Sequence, residues 1–461
     1  MNTLPLALRN LMRNRRRSSA TLLAMGIGLS AILIFGGYSR NVILSMQTAK
    51  VQYHGHLQVQ HKNYFLYGSG DPAAFGIPDY QRIVERIKRD PELQPMLSVV
   101  TPKLQLTGIA GNFSAGVSRN VIATGMLIED QNKMLLWNDY GNSSAHPLAL
   151  MGTAGDAVVI GTGVARVLQL CEQLKVTGCE ASTAAAPAPG TQLPDDIAAL
   201  SASEKPAAAA VGETRVEMLV ANTHGAPNVA SLNVVKAENQ GLKEFDDVFV
   251  AMHLPQAQRL IYGNGPPQVT AIMIQLRHTS QMPAASARLN QLLATEFKDL
   301  PLEIQDYETL NPIYGQTIGF FGSVFNFIAA LIGVIVLFTI GNTMSMAVVE
   351  RTIEIGTLRA MGLRRSKIRQ LFMCEGVLLG VLGTALGVLA ALAIAFLINH
   401  SGMSWVPPGY VDAYPVIVRI WGELPLLFGS AIGLMLLTVF SGWWPAKRAS
   451  QALIVDSLRH V

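Results

Sequence analysis

The sequence predicts an α-helical membrane protein with four transmembrane helices and a large mixed α/β extracytoplasmic domain inserted between the first and second. Three observations carry this. Half of the 461 residues are hydrophobic and only 14% are charged, where a soluble domain carries about 25%. The apolar residues gather into four stretches of membrane-crossing length. Between the first and second lies an interval of about 270 residues in which short alternating runs replace long apolar ones.

The first stretch, 18–38, holds 21 residues without a charge, with TLLAMGIGLSAILIFGG at its heart. A secretory leader has a shorter apolar run, about 7 to 15 residues, and a small-x-small cleavage site behind it. No such site precedes the polar QTAK at 47–50, so the segment is expected to stay as an anchor. The second stretch is uncharged over 309–349 and reads as membrane from Phe320. The third runs over 376–399 and the fourth over 424–446. At 1.5 Å per residue, about 20 residues cross roughly 30 Å of hydrocarbon.

Lys and Arg gather at membrane ends that face the cytoplasm. Arg9, Arg13, Arg15, Arg16 and Arg17 precede the first span. Arg351, Arg359, Arg364, Arg365, Lys367 and Arg369 lie between the second and third, and Lys447, Arg448 and Arg459 follow the fourth; 400–423 carries only Arg419. Both termini are therefore expected in the cytoplasm. The predicted partition is a cytoplasmic basic amphipathic helix (1–17), the first transmembrane helix with an outward extension (18–47) and the outer domain (48–316). The second span (317–349), a cytoplasmic loop (350–369), the third span (370–399), a short outer loop (400–423), the fourth span (424–446) and a cytoplasmic tail (447–461) follow.

In the outer domain HLQVQ (56–60), KLQLTGIA (103–110), TRVEMLVAN (214–222) and TAIMIQL (270–276) alternate as strands do. YQRIVERIKRD (80–90) and ASARLNQLLATEF (285–297) repeat apolar residues at helical spacing, and VIGTG (159–163) reads as strand, turn and helix start. The Ala/Pro/Ser-rich stretch 181–210 has little to bury and predicts a disordered tether. Cys171 and Cys179 flank CEQLKVTGC on the outer side, where oxidation is available; a disulfide between them is the favoured reading, with two free buried thiols as the alternative. Cys374 reads as a small hydrophobe.

No phosphate-binding Gly-rich loop ends in Lys-Ser or Lys-Thr, and no catalytic constellation appears. His54, His56 and His61 lack a Cys or carboxylate at ligand spacing, which argues against a metal site. The Arg run at 13–17 beside a span is a membrane anchor rather than a nucleic-acid patch. The four span cores contain no ionisable residue; Glu375 stands at the edge of its span. That makes a poor pore for a hydrophilic solute. Gly26, Gly28, Gly36, Gly37, Gly380, Gly383 and Gly387 would let helices approach closely.

One segment is densely charged between two apolar runs: VVERTIEIGTLRAMGLRRSKIR (348–369). On a helix, Ile355, Leu358 and Met361 line one side, Ile353 broadens it, and Glu350, Arg351, Glu354 and Arg359 occupy the polar side. Gly362 suits a C-cap. Such a helix would lie on the membrane surface or dock into a partner's groove.

ERTIEIGTLRAMG followed by RRSKIRQLFMCEGVLLGVLG resembles the permease signature of the MacB/FtsX/LolC–LolE type of ABC transporter subunit. LALRNLMRNRRRSS (6–19), the 311–350 entry into the second span, PAKRASQALIVDSLRHV (445–461) and VVIGTGVARVLQL (158–170) are similar to landmarks of that family too. The resemblance implies a coupling helix formed by Glu350, Arg351, Glu354, Ile355, Gly356, Leu358, Arg359, Ala360, Met361 and Gly362, with Glu375 and Gly376 opening the next span. It implies no cofactor in this chain and a separate ATP-binding subunit, present as a dimer, that holds ATP and Mg, because this chain begins directly with its short basic helix. It further implies a second permease chain, identical or homologous, a periplasmic adaptor or acceptor, and a place in a bacterial inner membrane. The implied function is mechanotransmission: ATP hydrolysis drives the outer domain to extract or export a lipoprotein, lipid, peptide or drug-like substrate. The alternative is a signal-transducing permease that regulates a periplasmic enzyme such as a cell-wall hydrolase. The 181–210 tether and the neighbouring cysteine pair match no landmark of the family.

Overall fold

The computed structural model describes residues 3–13, 15–68, 70–142, 145–176, 179, 214–407 and 409–451; the predicted tether at 181–210 lies outside them. The chain divides into a helical unit, 1–44, 313–405 and 414–461, and an inserted unit, 45–312 with 406–413.

The helical unit contains α1 (Thr3–Arg13), α2 (Arg15–His54, whose last turns enter the inserted unit), α3 (Pro312–Glu350), α4 (Thr352–Ala360), α5 (Arg365–His400) and α6 (Leu424–Gln451). Among the described residues, α2, α3, α5 and α6 are long and apolar enough to cross a membrane. Of the four, α2 is the most enclosed and α3 the least. Met25, Leu29 and Leu33 of α2 pack with Val336 and Ile340 of α3 and Leu379 of α5. Small residues set the spacing between α2 and α5: a Cβ at Gly387 would lie 2.8 Å from Leu29 Cβ and 3.1 Å from the Gly26 carbonyl oxygen. Bare backbone at this seam lets two helices approach without a side chain between them.

The inserted unit is organised by β2 (Leu97–Asn112), a 16-residue strand. One edge pairs antiparallel with β3 (Val117–Met126); the other pairs with β8 (Ala271–Leu276) near its start and β5 (Arg215–Ala221) near its end. From β5 the sheet continues through β6 (Pro227–Glu238), β4 (Ala157–Gly161) and β7 (Phe249–His253) back to β3. Six strands therefore close a ring, and β8, β1 (Leu57–His61) and β9 (Leu302–Asp306) extend from it. The four runs expected as strands lie in β1, β2, β5 and β8, and the two expected helices are Tyr80–Lys88 and Met282–Glu296.

Polar anchors hold the excursions to this sheet. Asp90, fully buried, ends the helix Tyr80–Lys88 and accepts from the backbone N–H groups of Glu92 (3.1 Å) and Leu93 (3.2 Å). Its carboxylate also meets Arg288 Nη2 at 2.8 Å and Arg86 Nη1 at 3.2 Å. In VIGTG, β4 runs into the helix Thr162–Val167. Asp246 accepts from the N–H groups of Thr162 (2.9 Å) and Gly163 (2.8 Å) and from the Thr162 hydroxyl. A Cβ at Gly161 would collide with the Asp246 carbonyl oxygen, so a side chain is excluded there. Cys171 and Cys179 form a disulfide beside this turn, and Cys374, which is half-buried, takes no part in it. His56 is fully buried, takes the Leu276 N–H at Nδ1 (3.0 Å) and bonds Thr279 through Nε2 (3.2 Å). It is a satisfied core histidine.

The Arg288 guanidinium and the two backbone donors hold the Asp90 carboxyl down at about 2. Its folded value lies below the unfolded one, near 3.9, so its stabilisation is complete above that value and is lost as pH falls toward 2. Asp90→Ala should destabilise the inserted unit by about 3 kcal/mol, because two arginines lose a buried partner. Denaturant unfolding of the full chain in detergent, followed by tryptophan fluorescence at pH 7 and pH 3, measures both effects. The variant should show a smaller loss of stability between the two pH values than the parent chain.

Candidate functional site

The charged segment between α3 and α5 is not one helix. Glu350 is the last residue of α3, and Arg351 (φ −108°, ψ 14°) breaks the chain direction before α4. At the far end Gly362, at φ +92°, closes α4: its N–H donates to the Arg359 carbonyl and the Leu363 N–H to the Leu358 carbonyl, both at 3.0 Å. This 6→1 and 5→2 pairing is a Schellman cap, for which glycine is suited at the left-handed position. The expected C-cap role of Gly362 is therefore met, and the chain restarts as α5 at Arg365.

Arg351 departs from its expected place on the polar side. Its side chain turns inward, and Nη1 donates to Glu375 Oε1 on α5 at 2.8 Å with both side chains under 10% exposed. Asn10 of α1 completes the cluster: its Nδ2 donates to the same oxygen at 2.6 Å, and its backbone carbonyl accepts from Arg351 Nη2 at 3.4 Å. Burial is the physical reason. A guanidinium at the end of apolar helices gains more from a charge-assisted bond than from remaining half-solvated against them.

Two further ion pairs fasten the same region. Arg17 of α2 grips Glu350 with two parallel bonds, 2.5 and 3.0 Å, and Arg13 of α1 meets Glu354 of α4 at 2.8 Å. Thr21 and Thr343 join hydroxyls at 2.9 Å one turn further along. Ile355 is buried with Ile368 and Phe372 of α5 and Ala446 and Ala449 of α6. Gly356 and Gly376 are buried; Leu358 and Arg359 are half-buried; Ala360, Met361 and Gly362 are exposed. The apolar side expected for α4 is therefore divided: Ile355 faces inward, while Ile353 (55% exposed) and Met361 (73%) face out.

Asn10, Arg13 and Arg17 were missed as partners of this segment. Beside an apolar span, the arginine run alone points only to a membrane anchor. Their spacing of four residues matches that of Glu350 and Glu354, and this was the available signal. Among the described residues no group of three or more His, Cys, Asp or Glu could hold a metal ion.

Four apolar helices, a large insertion after the first, and a short charged helix fastened between the second and third define a polytopic membrane protein. The family described as the FtsX-like permease C-terminal region matches residues 326–454, which contain α4 and all its α5 and α6 contacts. The chain is 30% identical to the ABC transporter permease YtrF of Bacillus subtilis over 145 residues, 29% of this chain and 30% of that one. It is 24% identical to the lipoprotein-releasing system transmembrane protein LolC of Neisseria meningitidis over 244 residues, 51% of this chain and 56% of that one. It is 27% identical to the macrolide export ATP-binding/permease protein MacB of Escherichia coli over 194 residues, 42% of this chain and 28% of that one. The family match over 326–454 and these similarities support a permease of the MacB/FtsX/LolC type. It spans only about half, or less, of the length of the curated relatives it matches.

The buried pair and the exposed pair should separate clearly in double-mutant cycles. Arg351→Met with Glu375→Met should give a coupling energy of about 2 kcal/mol or more, because each single variant strands a buried charge. Arg13→Ala with Glu354→Ala should couple by less than about 1 kcal/mol, as exposed pairs do. Thermal unfolding of the purified chain in detergent provides the readout.

Proposed function

We propose that this chain is the membrane subunit of an ATP-driven complex and that a separate ATP-binding subunit, present as a dimer and holding ATP and Mg, docks on α4. The observation that carries this reading is the asymmetry of α4. One side is fastened to α1 through Arg13–Glu354 and packed on α5 and α6 through Ile355, while Ile353 and Met361 stand exposed on the other. A helix held in this way passes a displacement to its neighbours rather than bending away from it. The residues in contact with the ATPase are Glu350, Glu354, Leu358, Arg359, Ala360, Met361 and Gly362, joined by Ile353; Arg351, Ile355, Gly356, Glu375 and Gly376 act from behind as the seat.

In this reading ATP-driven closure of the partner dimer moves α4, and the spans convert that motion into rearrangement of the inserted domain outside the membrane. Cargo need not cross through the helices. The work extracts or exports a lipoprotein, lipid, peptide or drug-like molecule, a range suggested by the lipoprotein-releasing and macrolide-export relatives. A second permease chain, identical or homologous, completes the membrane portion, and a periplasmic adaptor or acceptor receives the cargo. The complex resides in a bacterial inner membrane with both chain termini in the cytoplasm.

Ile353→Asp combined with Met361→Asp should weaken ATPase association by about tenfold or more, since each places a charge in an apolar contact. Neither side chain supports the fold, so the variant should match the parent in membrane yield and thermal stability. Affinity purification in mild detergent, with the co-purifying ATP-binding chain quantified, checks this. Retention of that chain at parental stoichiometry would refute docking on α4.

A further inference from the structure

A polar hollow lies on one face of the sheet in the inserted unit. Strand register sets three residues side by side: Gln60 of β1 opposite Ala271 of β8, and Ala271 opposite Lys103 of β2. Neighbouring strands stand about 4.8 Å apart, so two long polar side chains flank a single methyl group across roughly 10 Å. The short middle residue leaves a cavity of about 190 Å³, which His54, Gln58, Tyr64, Gln105, Thr270 and Asn311 also line.

The lining is cationic and rich in hydrogen-bonding groups, and it has no carboxylate among its described residues. Lys103 makes no hydrogen bond or ion pair through its ammonium group among the described residues, and burial alone holds it down at about 8. Burial, with Lys103 and Lys50 acting electrostatically on it, holds the His54 imidazole well below its usual value and therefore neutral. Gln58 is occupied, donating to the His54 carbonyl at 2.8 Å, and Gln60 donates to Gln58 Oε1 at 2.8 Å. The other amide atom, Gln60 Oε1, is buried with no partner. A lone cation on one wall and an orphaned acceptor on the other are each costly unless met. One ligand could meet both.

We propose that this hollow binds a small oxyanion that carries a hydroxyl or ammonium donor beside its charge, the anion against Lys103 and the donor against Gln60 Oε1. Ala271 is the floor that makes room for it. His54 is the last residue of α2 and Asn311 immediately precedes α3, so residues from both ends of the inserted unit's chain line the hollow. A phosphate with neighbouring hydroxyls fits this chemistry, whether as a soluble glycerophosphate or as the headgroup of a lipid.

The test uses the full chain in detergent at constant ionic strength, with thermal midpoint read against glycerol 3-phosphate and, separately, dihexanoyl phosphatidylglycerol. A saturable rise with glycerol 3-phosphate is the expected result, and a rise with the phosphatidylglycerol alone assigns the same site a lipid source. Lys103→Met should weaken binding at least tenfold while leaving the unliganded chain no less stable, because it removes an uncompensated cation; Lys103→Arg should retain binding. Ala271→Met should fill the hollow and abolish the response. Lys50 and His54 from α2 and Tyr64 from the turn Tyr64–Tyr67 are the other titratable groups near the site. Affinity should fall as pH rises above about 8, where the free site loses the Lys103 proton. No saturable response to either probe, or an equal response in Lys103→Met, overturns the proposal.

Discussion

The helical unit depends on one constraint: a charge at the end of an apolar helix must be met by another charge. Arg351 and Glu375 meet that requirement on each other, and Asn10 caps the remaining capacity of the same carboxylate oxygen. A buried ion pair contributes little net stability against a well-packed apolar substitute. Its contribution is to geometry. Moving α3 relative to α5, or lifting α1 away, would leave a charge uncovered, so few arrangements of these three helices remain open. The exposed pairs Arg13–Glu354 and Arg17–Glu350 then need only small energies to fix how α1, α2 and α4 close around that point.

The two units solve the packing problem differently. In the helical unit, bare glycine backbone such as Gly387 against Leu29 brings helices together where no hydrophobic force distinguishes neighbour from lipid. In the inserted unit, burial from water supplies the drive, and the sheet carries its apolar core on one face. The other face near β1, β8 and β2 is polar yet still covered, with Gln58, Gln60 and Gln275 all at most 5% exposed. Hydrogen bonds offset much of the cost of covering that face, as the Gln275 Nε2 bond to the Met134 carbonyl at 2.9 Å illustrates, while Gln60 Oε1 and Gln275 Oε1 are left without a partner among the described residues.

Much of this was legible in the chain. The four spans follow from uncharged length, and α4 from its charge and its terminal Gly362. The run in β5 alternates because one face is buried; those in β1 and β8 are covered on both faces and alternate because apolar side chains take one face and amide side chains part of the other. β3 was not read as a strand: VSRNVIATGM mixes a polar start with small residues, and its pairing to β2 and β7 decides its conformation. The end of β4 is legible in VIGTG, whereas β7 is a short and almost wholly buried run, which periodicity alone does not separate from helix. The inward turn of Arg351 was hidden for a different reason. Amphipathic projection assumes a single uninterrupted helix from Glu350, whereas the backbone break at Arg351 rotates that side chain toward Glu375. The contributions of Asn10, Arg13 and Arg17 come from more than 300 residues away in sequence, where the matched spacing of four residues is the one trace of the arginine pairs.

Ring closure also determines where the inserted unit could recruit a foreign strand. Among the described strands of this sheet, β9 alone has a neighbour on a single side. It is five residues long, follows Pro301 and bears Glu303 and Asp306. A short acidic edge behind a proline is a poor template for accidental strand addition. The inserted domain thereby carries its protection against accidental strand pairing at a single guarded border.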